Sequence, residues 1–241
     1  MTDEPKLSSR DDYDRLWSDC WGGMQAIGPV HRHVCRIIVE MVRPLGIRSV
    51  LDAGCGSGVN LRALQKNLGV SDVVGIDISL NALQLAATQV QGEFVVMDVE
   101  RNSLQREFDL VLSSQVVEHL EDDEAFLSNL RAMCKGYCLI GTMQGRMRAS
   151  EAYVGHKRNY TRPGLEQKLR NAGFAIERVV QWGFPFYSPL YRSAIELVGG
   201  QAVKVGYDKK QRFVASLLYQ LYRLNSSRRG DVLIILGSVR Q

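Results

Sequence analysis

The chain has 241 residues, 45% of them hydrophobic and 23% charged, the balance of an ordinary globular protein with enough apolar material for its own core. Thirty Lys and Arg against 26 Asp and Glu leave a formal charge of +4, too mild to point to nucleic acid. The polar, acidic-rich opening MTDEPKLSSRDDYDRLW is no signal peptide, and no apolar run approaches the ~18 residues of a membrane span, so a cytoplasmic protein is expected.

In chain order, Trp17 and Trp21 stand four apart, on one helical face, either packed in the core or folded over a ligand. HRHVCRIIVEMVRPLG then carries Val34, Ile37, Ile38, Met41, Val42 and Leu45 at helical spacing, with Pro44 near its end. That periodicity disposes of the metal-like run His31, His33, Cys35, because residues two apart on a helix face different ways. No metal is expected. SVLDAG reads as a short buried strand and NLRALQKNLG as a helix stopping at Gly69. DVVGID is a second strand, Ser79 caps the helix LNALQLAATQV, EFVVMDV is a third strand and FDLVLSS a fourth. DEAFLSNLRAMCKG is a helix, YCLIGTM a fifth strand, and Thr161 caps RPGLEQKLRNAG. FAIERVVQW and DVLIILGSV close the series as sixth and seventh strands.

Strands alternating with helices predict a doubly wound, mostly parallel α/β sheet covered on both faces. One domain is expected over 1–241, with a helical cap at 1–46 and a helical insertion at 183–230. The cysteines, Cys20, Cys35, Cys55, Cys134 and Cys138, lack framework spacing and read as reduced thiols. Two segments exceed ordinary loop length: QGRMRASEAYVGHKRNYT, and the run from Gly183 to about Gly230 with a helical pattern at Phe213, Leu217, Leu221 and Leu224.

The chemistry starts at VLDAGCGSGVN. Gly54, Gly56 and Gly58 follow the first strand and precede a helix, where bare backbone permits positive φ and close approach to a ligand. The nicotinamide fingerprint G-x-G-x-x-G needs glycine at position 59, which is valine, so a dinucleotide is disfavoured. Asp77 ends the second strand, where a carboxylate accepts from both hydroxyls of a ribose, and Asp98 ends the third, where it can accept from an adenine amine. Capping of the turns that follow is the alternative for both.

In order and spacing, VLDAGCGSG, VVGIDIS, VVMDVE and FDLVLSSQVVEHL resemble the class I S-adenosylmethionine-dependent methyltransferases, over roughly residues 50 to 182. The resemblance implies a Rossmann-like sheet of seven strands with the last antiparallel. It implies S-adenosylmethionine as cofactor and S-adenosylhomocysteine as product. Asp52, Gly54, Cys55, Gly56 and Gly58 would hold the methionine part, Asp77 with Ile78 the ribose, and Asp98 with Val99 the adenine, Ser114 completing the set.

Since the reactive methyl belongs to the cofactor, catalytic groups are harder to read. His119, in SSQVVEHLED, is a candidate base for a hydroxyl, or else a cap or cofactor contact. In GHKRNYT, His156, Arg158 and Tyr160 alternate, so an extended chain would aim all three one way; some small-molecule methyltransferases carry a similar run near the substrate. Arg158 would suit a carboxylate or phosphate. The 183–230 segment interleaves aromatics with Arg192, Lys204, Lys209, Lys210, Arg212, Arg223, Arg228 and Arg229, and reads either as a cap meeting an anionic or lipid-like acceptor or a membrane surface, or as a dimer contact or plain packing with solvated lysines. SSQV stands where base-amino methylases keep an Asn/Asp-Pro-Pro stretch, so nucleic acid is not expected. The expected activity is methylation of a small molecule, at oxygen before nitrogen or carbon, by a monomer or homodimer. A peptide, protein or lipid-like acceptor, or a non-catalytic cofactor-binding module, is the alternative.

Overall fold

The computed structural model describes residues 10–17, 21–197 and 208–240. Cys20 and Lys204 lie outside the described residues. Two short helices, α1 (Arg10–Leu16) and α2 (Gly22–Ile27), lead into α3 (Pro29–Val42), which one turn of 3-10 helix at Arg43–Leu45 and a left-handed Gly46 bring to an end. There follow β1 (Ser49–Ala53), α4 (Val59–Leu68), β2 (Asp72–Asp77), α5 (Leu80–Ala87), β3 (Glu93–Val96) and β4 (Phe108–Ser114). The second half runs α6 (Asp123–Ala132), β5 (Cys134–Met143), α7 (Ala149–Tyr153), α8 (Arg162–Asn171) and β6 (Phe174–Trp182). It closes with α9 (Arg192–Leu197), α10 (Lys209–Tyr222) and β7 (Val232–Val239).

The strands form one sheet in the order β3-β2-β1-β4-β5-β7-β6. β7 is antiparallel to both neighbours and the other pairings are parallel, as the resemblance implied. Both faces are covered. α3, α4 and α10 pack through Ile38, Met41, Leu61, Leu64 and Tyr222 on one side; α6 and α8 pack through Phe126, Leu130, Leu165 and Leu169 on the other. The caps form as the sequence indicated: Ser79 Oγ accepts from Ala82 N at 3.1 Å, and Thr161 Oγ1 from Gly164 N at 3.2 Å. Among the described residues no helix is long and apolar enough to cross a membrane.

Several boundaries and one element differ from the sequence reading. β3 ends at Val96, three residues early, because Asp98 folds the chain into a turn: its Oδ1 accepts from Glu100 N at 3.1 Å and its carbonyl from Asn102 N at 3.0 Å. β5 starts at Cys134, three residues early, because Met133 ends α6 and Gly136 lies against the β4 backbone; a Cβ there would stand 2.5 Å from Asp109 O. The segment after β5 contains α7, which its polar sequence did not announce.

β1 is flanked by β2 on one side and β4 on the other, so chain order reverses beside it. A crevice opens there, outside the carboxyl ends of the strands.

Candidate functional site

The crevice is a cavity of about 420 Å³ reached by the ends of β1 to β4, by the segments after β4 and β5, and by α1. Its floor is the glycine loop. Gly54 and Cys55 donate to Ile76 O at 2.7 and 2.9 Å, and Gly54, Gly56 and Gly58 all take left-handed φ, at 80°, 54° and 76°. A Cβ on Gly54 would stand 2.3 Å from a methyl of Val116, and one on Gly56 2.4 Å from the ring of Trp17. Only glycine fits.

Asp77 fastens this loop. Its Oδ2 accepts from Gly56 N and its Oδ1 from Ser79 N, both at 2.9 Å. Asp77 therefore does cap the following turn, while also lining the cavity. Each carboxylate oxygen keeps a second lone pair for a ligand hydroxyl. Burial pushes its pKa up to about 6. Asp52, in β1 just before the loop, is wholly buried, and apart from weak support from the Asn60 side chain its carboxylate oxygens lack hydrogen-bond partners. Burial first, then the charge of Asp77, pushes it up to about 8. A buried, unsatisfied acid is costly unless a positive charge approaches.

Asp98, Val99, Ile78 and Ser114 line the cavity with Asp77 and Gly54. Asp98 also lies 3.3 Å from the Arg101 guanidinium. Cys55 faces the other way: its Sγ is 2% exposed and sits where a Cβ on Gly75 would come within 2.8 Å of it. The thiol belongs to the core, and only the backbone of Cys55 serves the loop.

α1 lies over the cavity. Tyr13, Trp17 and Trp21 all line it, and the rings of Trp17 and Trp21 meet edge to face at 5.6 Å between centroids. The structure thus places both tryptophans on the ligand side, and Trp17 is also 94% withdrawn from solvent, its exposure being 6%. Asp14 ties α1 down by accepting from Asn81 N at 3.2 Å and from the Ser79 hydroxyl.

Also lining the cavity, His119 and His156 meet, ring centroids 4.7 Å apart, with His119 6.4 Å from the rings of Tyr13 and Trp21. Burial chiefly, then the neighbouring His156, lowers His119 to about 3, and its Nδ1 is buried without a partner. Burial lowers His156 too, while the charge of Glu151 and Asn159 Oδ1 at 3.5 Å favour its protonated form. Both imidazoles are neutral near pH 7, but His156 keeps groups that welcome a proton. Glu118, fully buried and pushed up to about 7 by burial, accepts from Thr142 Oγ1 at 2.9 Å and turns an unpartnered Oε1 toward the pair. Ligand atoms of Glu118, His119 and His156 lie within 4.8 Å of one another.

Of the three residues expected on one side, Arg158 and Tyr160 do stay together but His156 does not join them. The chain bends after Lys157, whose N–H donates to Glu118 O at 2.8 Å. Tyr160 OH donates to Asp123 Oδ2 at 2.7 Å and Arg158 pairs with the same carboxylate at 3.2 Å. Tyr160 is 6% exposed and outside the cavity, so its hydroxyl braces the start of α6. Arg192 is likewise no free cation: it is buried and pairs with Glu151 and Asp231. His33 Nε2 bonds Tyr219 O at 2.8 Å while its ring stacks on Trp182 and Tyr219, a packing role, and His31 lines the cavity.

Sequence reasoning named Glu118 only as a cap or cofactor contact, and singled out neither Tyr13 nor Gln115. Gln115 is the one described non-glycine residue at positive φ, 60°, and its buried amide nitrogen has no partner at the cavity edge. Held strain of that kind concentrates at functional sites. No sequence signal marked it, because glutamine carries no turn preference.

A family model described as "Methyltransferase domain" matches residues 50–136, the span from β1 into β5 that builds the glycine loop and both acids. Over that span the chain is similar to a methyltransferase domain. Its curated relatives include a ubiquinone biosynthesis O-methyltransferase of Bradyrhizobium diazoefficiens, 30% identical over 153 residues covering 54% of this chain and 59% of that protein. A namesake from Rhizobium rhizogenes is 26% identical over 73% of this chain and 71% of its own length. The chain thus spans about three fifths of the first of these relatives. The fold matches solved methyltransferase structures: the N-methyltransferase NodS from Bradyrhizobium japonicum with S-adenosylhomocysteine (TM-score 0.65, 14% identity, 96% of this chain and 98% of that one). It also matches the magnesium protoporphyrin IX methyltransferase of Synechocystis PCC 6803 with S-adenosylmethionine (TM-score 0.59, 16% identity, 98% and 93%).

The buried Asp52 carboxyl makes a measurable prediction for binding of a cationic ligand. At pH 7 it is mostly protonated, and a cationic sulfonium favours the ionised form, so binding expels up to about one proton. Calorimetric titration of S-adenosylmethionine at pH 7 will give heats that differ between buffers of high and low ionisation enthalpy, and Asp52→Asn will erase the difference. Equal heats for the wild type in both buffers would show that Asp52 does not sense the ligand's charge.

Proposed function

We propose that this protein is a class I methyltransferase that uses S-adenosylmethionine to methylate a hydroxyl of a small, partly apolar acceptor. The supporting observation is the shared lining of one cavity: Gly54 of the glycine loop and the Asp77 that clamps this loop, together with two neutral imidazoles. The buried Asp52 and the loop that no Cβ could enter fit a cationic ligand carrying a ribose. When bound, the cofactor supplies an electrophilic methyl group, so the protein's tasks are alignment, exclusion of water and removal of one proton.

In this reading Asp77 accepts from the ribose hydroxyls, Asp98 and Val99 flank the adenine, and the backbone at Gly54 lies along the methionine part. Tyr13, Trp17 and Trp21 exclude water. His156 takes the acceptor's hydroxyl proton, since Glu151 and Asn159 stabilise the resulting imidazolium. His119, depressed to about 3, is too weak a base for that and orients the acceptor instead. Both curated relatives named above are O-methyltransferases, which agrees with an oxygen acceptor. The protein serves this role without nucleic acid, as a monomer or homodimer in the cytoplasm.

The test is a screen of hydroxylated aromatic metabolites with S-adenosylmethionine, following S-adenosylhomocysteine. Acceptor-dependent release with phenolic hydroxyls is expected. Release with amines alone would replace oxygen by nitrogen, and tight cofactor binding without turnover on any acceptor would leave a binding module.

A further inference from the structure

On α3 and its 3-10 extension, Arg32, Arg36, Glu40 and Arg43 fall within an arc of roughly 80°, and on α4 Arg62 and Lys66 stand one turn apart. The two helices pack together, and these six side chains line one groove of about 540 Å³, a size that suits a small ligand. Five cations there meet one carboxylate. That surplus of four equals the formal charge of the whole chain, +4, so the rest of the sequence balances to zero and the excess is gathered in one place.

Protein contacts position three of these guanidinium groups and neutralise only one. Glu40 pairs with Arg36 at 2.6 Å, while Arg36 Nε stays buried and unpartnered. Arg32 lies over the Tyr219 ring of α10 at 3.9 Å, a contact that holds the cation without cancelling its charge. Arg62 Nη1 donates to the neutral amide oxygen of Gln89 at 2.8 Å. Among the described residues none of Arg32, Arg43, Arg62 and Lys66 has an ion pair. Like charges crowded in this way repel one another, and a bound anion relieves the repulsion. Four guanidinium forks and one ammonium match phosphate oxygens, and linked phosphates carry a comparable negative charge. The adjoining cavity shares Gln25, His31 and Val59 with the groove, but five acids line it against Arg101 and Lys157. A cationic ligand is thus drawn to the cavity and an anion to the groove.

We propose that the α3–α4 groove binds a small soluble anion carrying two or more linked phosphates, at a site separate from that of methyl transfer. Its occupancy is read without any turnover, so failure of this proposal leaves the proposed reaction untouched. The probe is inorganic tripolyphosphate, titrated calorimetrically into the whole protein, with sulfate at equal ionic strength as the control for screening. Wild type will bind tripolyphosphate as a single-site ligand, and sulfate far more weakly. The pair Arg43→Gln, Lys66→Gln will weaken binding by about tenfold or more, and Arg62→Gln alone will weaken it less. The pair Lys209→Gln, Lys210→Gln removes the same charge from exposed positions of α10 and will bind as wild type does. Circular dichroism matching wild type will show which variants fold, and either groove variant suffices for the comparison. No binding by wild type, binding undiminished in a folded groove variant, or an equal loss in the α10 pair overturns the proposal. So does binding of heparin without binding of tripolyphosphate, which would make the groove a contact for a charged polymer.

Discussion

Replacing Asp77 by alanine will lower the affinity for S-adenosylmethionine by roughly two orders of magnitude or more. Two separate losses add. The variant removes a charged acceptor for ligand hydroxyls, and charge-assisted hydrogen bonds are each worth about 1.5–3 kcal/mol. It also leaves Gly56 N and Ser79 N, now held at 2.9 Å, without acceptors, so the loop loses the geometry it presents to any ligand. Asp77→Asn separates the two, because its amide oxygen can hold one of these N–H groups while the charge is gone. Calorimetry will place the asparagine variant between wild type and alanine. Alanine binding as tightly as wild type would remove the ligand from this crevice.

Replacing His156 by alanine will lower kcat about 10²- to 10³-fold on the acceptor found by the screen, with cofactor affinity unchanged. His119→Ala will act mainly on KM, since a group depressed to about 3 orients better than it accepts a proton. The pH profile follows from the sign of the shift. Burial lowers the pKa of His156 below its ordinary 6.5, so the imidazole stays unprotonated and active at neutral pH, and kcat falls only as pH drops below that value. In His156→Ala this acid limb will vanish. A limb surviving in the variant would assign the base elsewhere. Activity that chelation abolishes and a divalent cation restores would instead make Glu118, His119 and His156 metal ligands.

The glycine loop and the two strand-end acids that line or clamp this cavity were legible because their placement depends on local rules. A glycine loop after a strand, then acids at the ends of the next two, follow from chain order, and the switch point brings those ends together. The surroundings of His156 were not. Tyr160 and His156 are four residues apart, and their separation depends on Lys157 bonding Glu118 across the sheet, which no local pattern encodes. Arg192 looked like one of many surface cations and is locked between Glu151, 41 positions earlier, and Asp231. Met133 continued the apolar spacing of α6, yet the strand pairing of Cys134 with Phe108 ended that helix at Ala132.

The reversed direction of β7 has a bearing on how such proteins diversify. Since β6 and β7 run opposite ways, the chain between them departs from and returns to a single rim, the one that bears the glycine loop. A segment attached in this fashion can be lengthened, shortened or exchanged without rethreading the sheet. Transplanting it between homologues would show whether this segment bears on the choice of acceptor.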